Sequence, residues 1–145
     1  MPRKQPSPAA PAEVEILVPF HDVDAMRIVW HGHYLKYFEV ARTALMESID
    51  YAYGQMAASG YAWPIIDVHS RYGGSATVGD RLLVTATLLE WEHRLRIGYR
   101  IVHGKTGKRI TRGTSTQVAV EIASGEMCYR SPDVLFQKLG LQPPS

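Results

Sequence analysis

The chain has 145 residues, 46% of them hydrophobic and 21% charged, and a formal net charge of +2. This composition fits one globular domain with a sizeable core, not a disordered chain. The small charge gives no basis for nucleic-acid binding, and no apolar run approaches the roughly 18 residues that insertion into a membrane requires. A single cysteine, Cys128, allows no internal disulfide and points to a reducing, cytoplasmic setting.

In chain order, residues 1–12 are rich in proline and alanine and carry basic residues with no apolar stretch behind them. They are expected to form a flexible leader and not a secretory signal. Residues 13–140 are expected to form a single domain, and residues 141–145 a short tail. Val14 to Phe20 alternates and is rich in branched residues, which predicts a strand with Pro19 at its end or on an edge.

The stretch from Phe20 to Arg42, FHDVDAMRIVWHGHYLKYFEVAR, carries the chemistry. It holds Asp22 and Asp24 and three of the six histidines: His21, His31 and His33. Tyr34, Tyr37, Phe38, Ala41, Leu45 and Ile49 then recur at steps of three and four. That spacing predicts a helix from about His31 to Ile49 with one apolar face. A helix start exposes unpaired N–H groups and a positive dipole end. An acid beside such an end suits acyl chemistry on a carbonyl substrate, and equally suits a simple turn or helix cap.

Gly54 is expected to break the long helix, with Gln55 to Ser59 forming a further short turn of helix. Strands are then predicted over Trp63–Tyr72, Arg81–Trp91, Arg94–His103 and Arg109–Ile122, with a hairpin turn at Lys105–Lys108. Ile110, Val118, Val120 and Ile122 are expected to share one face. Ser131-Pro132-Asp133 opens a short helix, Val134–Leu139, which Gly140 stops. One long helix cannot cover both faces of a five-stranded sheet. The compact solution is an α+β domain with the helix wrapped by a curved antiparallel sheet, and with self-association covering the remaining apolar surface.

Asp22-Val23-Asp24, Ile28-Val29-Trp30-His31, Tyr34, Phe38-Glu39 and Ala41-Arg42 resemble the motif of the 4-hydroxybenzoyl-CoA thioesterase family of hotdog-fold proteins. The Tol–Pal-associated acyl-CoA thioesterases share that motif. Pro64 and Gly79-Asp80 also fit, so the resemblance spans about Val14 to Cys128. It implies the hotdog fold, homodimers or homotetramers with sites at subunit interfaces, and hydrolysis of an acyl or aryl thioester. It implies Asp24 as nucleophile or general base, His31 at the backbone oxyanion donor, and Trp30 and Tyr34 beside the substrate. No cofactor or metal is implied beyond the coenzyme A or acyl carrier protein that forms part of the substrate.

Two positions depart from the family pattern. Arg27 stands where the family has a glycine, so either the loop differs or the side chain points at the ligand. After Glu90-Trp91 only Arg94 keeps a firm positive charge for phosphate contact. Two other readings stand beside hydrolysis by Asp24. One is a non-catalytic acyl-thioester-binding protein. The other is a metal-dependent hydrolase using His21, Asp22, Asp24, His31 and His33.

Overall fold

The computed structural model describes residues 6–144. Three helices, α1 (His33–Ser48), α2 (Tyr53–Ala58) and α3 (Asp133–Lys138), accompany seven strands. These are β1 (Ala12–Leu17), β2 (Tyr61–Ala62), β3 (Ile65–Tyr72), β4 (Arg81–Glu90), β5 (Leu95–His103), β6 (Arg109–Gln117) and β7 (Val120–Glu121). Five strands form an antiparallel sheet in the order β1-β4-β5-β6-β3, and β2 pairs with β7 in a separate ribbon. This is the α+β hotdog arrangement, with one long helix against a curved sheet. No helix among the described residues is long and apolar enough to cross a membrane.

The helix lies where its periodicity puts it. Tyr34, Tyr37, Phe38, Ala41 and Leu45 are buried on one face, against Leu82, Val84, Ala86 and Leu88 of β4 and Leu95, Ile97, Tyr99 and Ile101 of β5. Each large side chain buried in this way contributes about 1.5–3 kcal/mol. Phe38 stacks on Tyr99 with ring centroids 4.5 Å apart. Gly113 permits this approach, because a Cβ there would sit 2.8 Å from the Phe38 ring.

Three expectations need correction. The long helix ends at Ser48, one residue from the expected Ile49, but Gly54 is not what breaks it. Asp50 takes a left-handed φ of 58°, which aspartate tolerates, and this returns Tyr51 to the core. Gly54 instead lies inside α2. The strand expected to run from Arg109 to Ile122 leaves the main sheet after Gln117, whose side chain donates to the Trp63 carbonyl at 2.8 Å. The chain resumes as β7 against β2, so Ile122 is exposed while Val118 is buried. Finally, β1 opens at Ala12 and Ala9 is buried in the core, so part of the expected leader is packed, while residues 1–5 lie outside the described residues.

Candidate active site

The loop joining β1 to α1 is built by hydrogen bonds between its two limbs. Asp24 N–H donates to the Ile28 carbonyl at 2.9 Å, Arg27 N–H to the Asp24 carbonyl at 2.9 Å, and Trp30 N–H to the Asp22 carbonyl at 3.0 Å. Val29 N–H reaches the Ala76 carbonyl and the Thr77 hydroxyl reaches the Arg27 carbonyl, both at 2.8 Å, which ties the loop to the segment before β4. Arg27 has φ 65°. The loop therefore keeps the left-handed turn that a glycine would favour, and arginine adopts it at a cost of about 1–2 kcal/mol. Its side chain is exposed.

The two acids have opposite surroundings. Asp22 is 1% exposed, accepts from Lys36 Nζ at 2.7 Å and Tyr37 OH at 2.6 Å, and lies 3.8 Å from His21 and 3.9 Å from His33. Burial alone would push its carboxyl pKa up, but the bonds from Lys36 and Tyr37 and the Lys36 charge outweigh it and hold the group below the usual carboxylate range. Burial and the same carboxylate push the Tyr37 phenol up. Asp24 is exposed, and its Oδ1 accepts one bond, from Met26 N–H at 2.8 Å, an Asx turn. Its Oδ2 has no partner among the described residues.

The loop then runs straight into α1. His33 N–H donates to the Trp30 carbonyl at 2.9 Å and Tyr34 N–H to the His31 carbonyl at 3.3 Å. The N–H groups of His31 and Gly32 donate to no acceptor among the described residues, and no side chain caps the helix. Trp30, 49% exposed, folds over this start. Its ring centroid is 5.2 Å from that of His31 and 5.4 Å from that of His33. Gly32 makes this possible, since a Cβ there would be 2.2 Å from Trp30 Cζ3. A glycine two residues after an aromatic was the signal in the sequence for this packing.

The structure thus brings Asp24, Arg27, Trp30 and His31 onto one loop and helix start. Tyr34 is the buried neighbour, its ring 5.9 Å from that of Tyr72, which also packs on His31 at 5.7 Å. Tyr72 was not foreseen as part of this site. Arg94 is not brought here within one chain. It follows β4, at the end opposite the Asp24 loop, and its Nε donates to Glu90 at 2.7 Å. Trp63 is buried at the far end of α1, where its indole donates to Tyr51 OH at 3.2 Å. There it lines a cavity of about 470 Å³ with Met46, Met56, Tyr61 and Ile65. Among the described residues, no three or more His, Cys, Asp or Glu side chains are grouped so that they could hold a metal ion.

Comparison with known proteins matches residues 18–139 to the family described as the thioesterase-like superfamily. "Putative esterase sll0410" of Synechocystis sp. is 29% identical over 128 residues, covering 88% of this chain and 77% of that protein. "Putative acyl-CoA thioesterase YneP" of Bacillus subtilis is 29% identical over 108 residues, 74% of this chain and 78% of its own length. Among solved structures, Slr0204, a 1,4-dihydroxy-2-naphthoyl-CoA thioesterase from Synechocystis, superposes with a TM-score of 0.80 at 20% identity, over 90% of this chain and 96% of that one. The family match is coarser than the resemblance to 4-hydroxybenzoyl-CoA thioesterases and selects no branch of the superfamily.

Proposed function

Because the chain belongs to the thioesterase-like superfamily, we propose that it hydrolyses an acyl-CoA thioester, with Asp24 as the reacting carboxylate. The supporting observation is the contrast between the acids: Asp22 is buried and committed to Lys36 and Tyr37, whereas Asp24 stands exposed beside a helix start with two free N–H donors. Asp24 either attacks the thioester carbonyl, giving a mixed anhydride that water cleaves, or takes a proton from the attacking water. In both routes the C–S bond breaks, the acyl group leaves as a free acid and the sulfur leaves as a thiol. In this reading the N–H groups of His31 and Gly32 receive the negative charge on the carbonyl oxygen. Trp30, Arg27 and Tyr34 flank the substrate.

We propose a two-fold assembly that completes this reading. Strand β3 ends the sheet and exposes Ile66, Val68 and Tyr72 along an unpaired edge. A second copy adding antiparallel along β3 on a two-fold axis would set the Tyr72 end of one strand against the Ile65 end of the other. That places the Trp63 cavity of one copy beside Trp30 and His31 of its mate, with the Arg94 end of the sheet nearby. Its apolar lining suits an aryl or medium-chain acyl group.

Turnover of a panel of acyl-CoA and acyl-carrier thioesters by the wild-type chain and by Asp24→Asn tests the proposal. Hydrolysis that depends on Asp24 is expected. Saturable binding of these thioesters without turnover would favour an acyl-binding protein instead.

A further inference from the structure

The outer face of the sheet, turned away from α1, carries a row of like charges. In the strand register Arg71 of β3 stands directly opposite Arg112 of β6, and Arg112 directly opposite Arg100 of β5. Arg100 lies between Tyr99 and Ile101, both buried on the helix side, so the three arginines point outward and all are exposed. Like charges directly opposite in a sheet are destabilising. The arginines that find acids elsewhere are Arg42, Arg81, Arg94, Arg96 and Arg130. Arg71, Arg100 and Arg112 have neither an ion-pair nor a hydrogen-bond partner among the described residues.

The next row along the same strands is His69, Thr114, Gly98 and Thr87. With Thr85 and Leu89 these residues border an open groove of about 520 Å³ that no carboxylate lines. The nearest acids of this face stay at its margins: Asp67 and Glu90 lie one row further along, the latter paired with Arg96 at 3.6 Å, and Glu13 stands opposite Thr85. Gly98 leaves the floor without a side chain, and a Cβ there would come within 3.1 Å of Leu89.

We infer that this groove is a binding site for an organic polyphosphate, a molecule carrying a diphosphate or triphosphate chain. Three adjacent strands place the arginines across about 10 Å, a row of planar forks that bind phosphate oxygens in pairs. Thr85, Thr87 and Thr114 add neutral hydroxyl donors. A bound anion removes the mutual repulsion that the empty row carries. The site lies across the sheet from the Asp24 loop and does not depend on the proposed hydrolysis. Coenzyme A and a nucleoside triphosphate both carry the required chemistry.

Calorimetric titration at physiological ionic strength with inorganic triphosphate, ATP and coenzyme A tests this, using wild type, Arg112→Gln and Arg71→Gln. Wild type is expected to bind triphosphate saturably. Arg112→Gln, which removes the central charge, should weaken binding at least tenfold and raise the thermal midpoint of the ligand-free protein. Arg71→Gln, at the sheet edge, serves if the central variant folds poorly. Tighter binding of coenzyme A than ATP, with displacement of triphosphate, identifies the coenzyme as the source; the reverse order identifies a nucleotide. Absence of saturable triphosphate binding, or unchanged affinity in folded Arg112→Gln and Arg71→Gln, overturns the inference.

Discussion

Tyr37 donates its phenolic hydrogen to the buried carboxylate of Asp22 at 2.6 Å, while Lys36, its neighbour on α1, holds the other oxygen at 2.7 Å. The helix thereby grips the loop that presents Asp24, because the Asp22 carbonyl also receives Trp30 N–H. Asp22→Asn keeps the size but loses the charge that both donors answer. We expect it to lower unfolding stability by about 1–3 kcal/mol. Tyr37→Phe should lose a similar amount. Denaturant unfolding of both variants measures this.

Asp22 also sets an acid limb. Its folded pKa lies below its unfolded value, so its contribution is fully present above the ordinary aspartate pKa of about 3.9 and is lost as pH falls through the lowered folded value. Unfolding stability measured from neutral pH downward should therefore decline more steeply in wild type than in Asp22→Asn. Parallel curves would show that Asp22 carries no such linkage.

Gly32→Ala tests the Trp30 platform. The added Cβ cannot share space with Trp30 Cζ3 at 2.2 Å, and the half-exposed ring is the part that can swing away. Stability should change little. Turnover should fall by about tenfold to a hundredfold, as expected when a positioning group moves by an ångström or so. Trp30→Ala should show the same kinetic loss if the ring is the cause.

Arg27→Gly separates backbone from side chain. Glycine removes the left-handed penalty of about 1–2 kcal/mol but gains about 0.4–1 kcal/mol of unfolded-state entropy, so a net stabilisation between about 0 and 1.6 kcal/mol is expected. A raised KM with little change in kcat would place the guanidinium against the substrate. Unchanged KM would remove Arg27 from the site.

Val68→Lys puts a charge in the middle of the exposed β3 edge. We expect it to convert a dimer to monomers in light scattering and to abolish most hydrolysis, since the acyl cavity would then have no mate. An active monomer would contradict both the pairing and the shared site.

What the sequence disclosed follows from what is local. The α1 face repeats every three or four residues, and the buried faces of β4 and β5 alternate, so helix, strands and core were legible. The Asp22–Lys36–Tyr37 cluster was only half visible: the acid could be assigned to the turn, but partners 14 and 15 residues away obey no period. The exit of the chain from β6 into β7 depends on Gln117 reaching Trp63, a choice of tertiary partner. The arginine row requires the register of three strands, which alternation within each strand does not fix.

The most direct measurement compares Asp24→Asn with Asp22→Asn in acyl-CoA hydrolysis, with substrate binding and thermal midpoint recorded for each. Asparagine at position 24 keeps the Oδ1 acceptor of the Asx turn but cannot attack or take a proton. Turnover should fall by about 10² to 10⁴ fold with fold and binding retained, while Asp22→Asn loses mainly stability. Near-normal turnover in Asp24→Asn, or a folded but inactive Asp22→Asn beside it, would contradict the assignment of Asp24 as the reacting carboxylate.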